Sequence, residues 1–292
     1  MGFRGVLVMR VMMVVLACAG GMGCSPFRAR RPSPSVEARS RAAEWIRVEN
    51  LGAPSDDALL VELAAAAALD VTRRWGALTH VVTLRVHPTH AALEAATGQS
   101  NAPWMRGWAR HSEVELEAPS SWGGDRAPYH VVELLSHELT HVVMYQRVAD
   151  AGTWTQVEIP LWFREGMASV TSEQGYRRMS GSELGAWLRA HPAHDPWAPG
   201  RGEGGPGQPV VYGAAHRAFE RLLMRTSDKG ILDLMDRMRA GDRFDVAFAT
   251  AVGEPPTDFL AALRRELEHV EAVPLPDTPP ERRAATLTRA SA

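Results

Sequence analysis

The sequence predicts an α+β domain in two lobes, with strands first and helices after. Three observations predict it. The β-branched run of Val81, Val82, Leu84 and Val86, and the alternating stretches over residues 104–110 and Glu113–Glu117, all lie in the first part of the chain. Val131, Leu134, Leu135, Leu139, Val142 and Val143 place apolar side chains around most of one long helical pattern, as in a buried helix. Beyond it, every periodic segment reads as helix.

The elements follow in chain order. A short strand is expected over residues 45–48. Asp56 and Asp57 follow Pro54-Ser55 at a helix start, and residues 59–75 favour helix, with an alanine run at 64–68 that suits close packing. The run at 81–86 is a buried strand. Residues 89–96 form a short helix that ends at Gly98. Residues 104–110 and Glu113–Glu117 are strands, the second with an acidic face, and the segment from His111 to Glu117 is expected at the sheet edge. The two glycines and the proline of residues 120–128 mark a loop. Pro128–Val148 is the strongest helix, with proline tolerated in its first turn. Leu161–Thr171 is a second helix and residues 182–188 a third. Residues 199–209 form a Gly/Pro loop without the Lys-Ser/Thr ending or preceding strand of a phosphate loop. Residues 212–225, 230–238, 245–251 and 258–268 complete the helical part.

The flanks are not part of this fold. Residues 1–24 carry Arg4 and Arg10 around an apolar stretch too short to span a bilayer, followed by small residues, which is the pattern of an export signal. Gly23-Cys24-Ser25 resembles the cleavage and lipidation point of a bacterial lipoprotein signal. Val15-Leu16-Ala17-Cys18 matches the local pattern better but leaves a shorter apolar region, and a plain secretory signal is the other alternative. The expectation is an exported protein of the bacterial cell envelope, anchored to the membrane by a lipid on Cys24. Residues 25–44 read as a flexible Pro/Arg/Ser tether, residues 45–272 as the folded domain, and residues 273–292 as a disordered tail.

Composition closes off several functions. The net charge is −2, so no basic field draws nucleic acid, and no nucleic-acid partner is expected. Both cysteines, Cys18 and Cys24, lie in the signal. The domain therefore has no disulfide, no thiol nucleophile and no cysteine metal ligand.

His137-Glu138-Leu139-Thr140-His141 reads H-E-x-x-H. On a helix, positions four apart share a face, so two imidazoles can grip one zinc ion and the intervening glutamate can reach the water it activates. Catalytic zinc needs a third protein ligand. A histidine six positions on would supply it, with glycine at 144, but this chain has Met144 and Arg147. The other solution is a glutamate on a following helix, and Glu165 stands in the apolar segment Leu161-Trp162-Phe163-Arg164-Glu165-Gly166-Met167-Ala168. A carboxylate buried there needs a partner.

H-E-L-T-H followed by P-L-W-F-R-E-G-M-A resembles the gluzincin metallopeptidases, in particular the peptidase MA-like domains. The segment from Tyr212 through His216 to Leu222 is similar to their next helix, and Gly230 to Met235, Ala247 to Gly253 and Phe259 to Leu267 resemble their C-terminal helices. Phe163 stands where leucine is commoner. The resemblance implies a zincin-like two-lobed fold, with a mixed N-terminal sheet, the H-E-x-x-H helix, and a mostly helical C-terminal lobe. It implies Zn2+ held by His137, His141 and Glu165, with Glu138 as general base in hydrolysis of a peptide or protein substrate. Tyr212 is the candidate donor to the oxyanion, and His216, one turn on, is the next. Ser169, on the face of Glu165, is the candidate to orient a ligand histidine. Two other readings stay open: a non-catalytic envelope binding or scaffolding protein, and a zinc amidase acting on cell-wall material.

Overall fold

A computed structural model describes residues 35–53, 57–122, 128–198 and 208–270. The signal, most of the tether and the tail lie outside these residues. Helix α1 (Val36–Ala43) occupies the part of the expected tether that is described; Ser35 caps it, its hydroxyl accepting from the Ala38 N–H. Order therefore begins before Trp45. The Pro/Arg/Ser composition hid a capping serine with good helix formers behind it.

The protein is mixed α+β. Strands β1 (Ile46–Asn50), β2 (Val82–His87), β3 (Gly107–Ala109) and β4 (Glu113–Glu117) form one four-stranded sheet in the order β1-β2-β4-β3. The first three in that order are parallel, and β3 runs antiparallel to β4. Helices α2 (Asp57–Trp75) and α3 (His90–Thr97) make the connections. Gly98 ends α3 in the left-handed region at φ 71°, where glycine carries no Cβ penalty.

Pleating sorts the strand residues onto two faces. Val82, Leu84, Val86, Val114 and Leu116 join the main core against α2 and helix α4 (Pro128–Val148). Arg85 and His87 pair in register with Glu115 and Glu117 and point the other way. One expectation for this segment is corrected here. Strand β4 is interior, and the edges are β1 and the three-residue β3. The acidic face of β4 is covered: Glu115 and Glu117 are buried. Arg85 and Arg110 reach Glu115, with His87 Nε2 2.6 Å from its other oxygen, while Arg106 and His90 reach Glu117.

Helix α4 is enclosed from Leu135 to Gln146, which explains its all-round apolar pattern. Gln146 fastens it to the loops that enter β2 and β4: its carboxamide oxygen accepts from the Thr79 and His80 N–H groups, and its nitrogen donates to the His111 carbonyl. Helices α5 (Leu161–Thr171), α6 (Gly181–Ala190), α7 (Gln208–Arg239), α8 (Phe244–Val252) and α9 (Pro256–His269) follow. Helix α7 breaks at Ser227, where φ is 61° and ψ 176°, between the two helices expected from the sequence; Arg74 of α2 holds neighbouring Asp228 with both carboxylate oxygens. Pro209, expected in a loop, lies in the first turn of α7, where proline is tolerated. Trp162 and Phe163 of α5 pack edge-on among Phe219, Phe244 and Phe248. Among the described residues no helix is long and apolar enough to cross a membrane.

Candidate metal centre

Residues 133, 137, 141 and 145 are four apart, so one row of α4 carries Glu133, His137, His141 and Tyr145. Helix α5 brings Glu165 against this row. His137 Nε2 lies 3.4 Å from one Glu165 oxygen, and His141 Nε2 lies 3.6 Å from the other. The three side chains are buried, and one ligand atom from each falls within 4.8 Å of the others. Nitrogen and oxygen ligands about 2.1 Å from one tetrahedral ion stand about 3.4 Å apart, so the spacing fits a metal ion. Among the described residues this is the one His/Cys/Asp/Glu group with such geometry.

The protonation states also fit. Burial holds His141 far below the usual imidazole range, to about 3. Burial pushes Glu165 up, but His141, His137 and Arg164 more than offset it and keep the carboxyl well below the ordinary range. The carboxylate thus depends on positive charge beside it, which a dication held among neutral imidazoles would supply. The imidazole rings are nearly perpendicular, at 88°, with centroids 4.9 Å apart, and His141 also stacks over Tyr145 at 6.2 Å.

Neither ligand histidine has a hydrogen-bond partner for Nδ1 among the described residues. Ser169, expected to orient one of them, instead meets His216 Nδ1 at 2.8 Å. The reason is packing: Gly166 lets α5 approach α7 so closely that a Cβ there would fall 2.4 Å from the Ala215 carbonyl oxygen, and Ser169 then faces α7. Contacts that orient metal-bound histidines are commonly carboxylates, carbonyls or water; here the two rings pack on each other and His141 on Tyr145.

The group opens onto a cavity of about 630 Å³. Glu138, His137, His141, Glu165 and Tyr212 all line it; His216 is not among the lining residues and is engaged with Ser169 and Glu220. Burial lifts the Glu138 carboxyl to about 7; the charge of Glu165 also raises it, while His137, Arg177 and the Ala109 N–H pull it back. A Cβ at Gly107 would stand 2.8 Å from the Glu138 carboxylate, so glycine there lets β3 run directly over this group. Trp104, Trp108 and Trp122 line the cavity, whereas Trp154 packs on Tyr145 at 4.9 Å.

Sequence reasoning missed three other lining residues. Glu133 and Tyr145 were legible, since each is four positions from a ligand histidine. Burial raises the Tyr145 hydroxyl to about 12, so it stays protonated beside Arg164. Arg177 follows α5 in a short turn with no periodic pattern, and its guanidinium lies 4.8 Å over the Tyr212 ring.

Comparison with family models, with curated proteins and with solved structures returns no match for this chain.

Proposed function

We propose that the chain is a zinc-dependent peptidase with a zincin-like two-lobed fold of the gluzincin type, exported and lipid-anchored at Cys24 in a bacterial cell envelope. The observation that carries this reading is the buried His137, His141 and Glu165 group opening, beside Glu138, onto one cavity. When bound, zinc would polarise a peptide carbonyl and lower the pKa of a water into the neutral range.

The protein residues supply the remainder. Glu138 takes a proton from the attacking water and returns it to the leaving amine; burial holds its carboxyl above the ordinary carboxylate range, which favours its carrying the proton between the two transfers. A cation held by the three ligands pulls that carboxyl down, as His137 and Arg177 already do. The ladder bonds between β3 and β4 use Arg106 and Arg110, so Gly107 and Ala109 turn their backbone groups to the free edge. Ala109 N–H serves Glu138. The rest of the edge is a template for an extended peptide, which strand addition would hold across the cavity.

Arg177 and Tyr212 offer donors where negative charge develops on the cleaved carbonyl. Replacing Arg177 by alanine is expected to lower kcat about a hundredfold with little change in KM, the effect of losing one such donor, as steady-state kinetics would show. An effect confined to KM would assign Arg177 to substrate binding instead.

The test of the whole reading is zinc content of the purified chain by elemental analysis, followed by hydrolysis of a broad peptide library before and after chelation. About one zinc per chain is expected, with turnover lost on chelation and restored by zinc. A chain that binds no zinc ends the reading. Zinc without turnover of any peptide would favour a binding module.

A further inference from the structure

Glu133 stands one helical turn before His137 and lines the same cavity. The residue is 8% exposed, yet no hydrogen-bond donor or cation meets its carboxylate among the described residues. The guanidinium groups of the cavity are engaged elsewhere: Arg106 on Glu117 at 3.0 Å, Arg164 on Glu165 at 3.4 Å, and Arg177 over Tyr212. A carboxylate that lines a cavity without a partner from the protein is left for whatever enters the cavity to satisfy, and a cation or strong donor does so best. Other acids of this interior have found theirs, as Glu115 and Glu117 show. Glu133 faces the space a substrate enters.

We propose that Glu133 is the receptor for a positive charge on the substrate, a protonated amine or a guanidinium, close to the scissile bond. This deepens the peptidase reading and rests on it. Four residues of helix separate Glu133 from His137 by about 6 Å along the axis, and an extended peptide advances about 3.3 Å per residue. The charge is therefore carried within two residues of the reacting carbonyl. Two groups supply this chemistry: a free N-terminal amine, which makes the enzyme an aminopeptidase, or a lysine or arginine side chain, which makes it an endopeptidase selective for basic residues.

The experiment measures binding, using full-length chain carrying Glu138→Gln so that ligand is not consumed. The probes are tetra-alaninamide with a free amine, acetylated tetra-alaninamides with one lysine at each position in turn, and the neutral acetylated tetra-alaninamide. Calorimetry is expected to show one charged probe binding at least about tenfold tighter than the neutral one, the size of a charge-assisted contact. Which probe it is separates the two sources. Adding Glu133→Gln is expected to remove that preference, and Glu133→Asp to restore part of it. Equal affinities for charged and neutral probes, or no binding of any, would overturn the proposal, and this comparison needs no substitution at position 133. Library hydrolysis without charge preference removes the Glu133 proposal and leaves the peptidase reading. Glu133-dependent binding of a charged probe, without hydrolysis by the unsubstituted chain, leaves a cation site and removes the peptidase.

Discussion

Glu138→Gln is expected to lower kcat/KM for peptide hydrolysis about a thousandfold, or about 4 kcal/mol in the barrier, with zinc content unchanged. The substitution is close to isosteric, and the amide oxygen can still accept from the Ala109 N–H that holds Glu138 under β3. What it removes is the ability to take and return a proton. The metal group is left whole because His137, His141 and Glu165 face one another without Glu138 between them. Elemental analysis and single-turnover kinetics on the same preparation separate the two effects. A variant that loses zinc together with turnover would make Glu138 part of the metal group rather than the base. A variant that keeps turnover would place the base elsewhere on the cavity wall, with Glu133 the nearest carboxylate along the helix.

The parts of the site carried by single helices were legible in the sequence. Pro128–Val148 and Leu161–Thr171 were expected with the ends the structure gives them, because periodicity and flanking prolines are local signals. The His137, His141 and Glu165 convergence followed from that, helped by the cost of burying a lone glutamate. What needed three dimensions was everything decided between elements. Alternation in Glu113–Glu117 marks a strand but not its neighbours, so the sequence did not reveal that β3 takes an edge. Nor did it reveal that Arg85, Arg106 and Arg110 cover the acidic face. Ser169 shares a face with Glu165, yet its partner is set by how closely α5 lies on α7. Arg177 sits in a turn whose position over Tyr212 depends on both helices. The expected break between two C-terminal helices fell at Ser227, within a long α7 rather than at a loop.

Gly166→Ala is expected to destabilise the domain by about 1–3 kcal/mol and to weaken metal binding, against the usual sign of such a change. In an ordinary helix the substitution would stabilise by about 1 kcal/mol. Here the added Cβ would lie 2.4 Å from the Ala215 carbonyl oxygen and 2.7 Å from Phe219 Cβ. The oxygen belongs to the backbone of α7 and cannot rotate away, so the two helices must part. Glu165 is the adjacent residue, and its oxygens sit 3.4 and 3.6 Å from the histidine nitrogens. A shift of even half an ångström there spoils a ligand geometry that tolerates about 0.2 Å. The same displacement strains the edge-on packing of Phe163 against Phe219 and the Ser169–His216 hydrogen bond. Thermal unfolding should show a fall in Tm of about 2–10 °C, larger with zinc present than with chelator, because the metal's contribution is lost as well. Gly152→Ala is the control: nothing lies within 4 Å of a Cβ built there, and Tm should stay in place. If Gly166→Ala leaves both Tm and zinc affinity unchanged, the contact between α5 and α7 yields without moving Glu165, and the third ligand is held by something other than this helix pair.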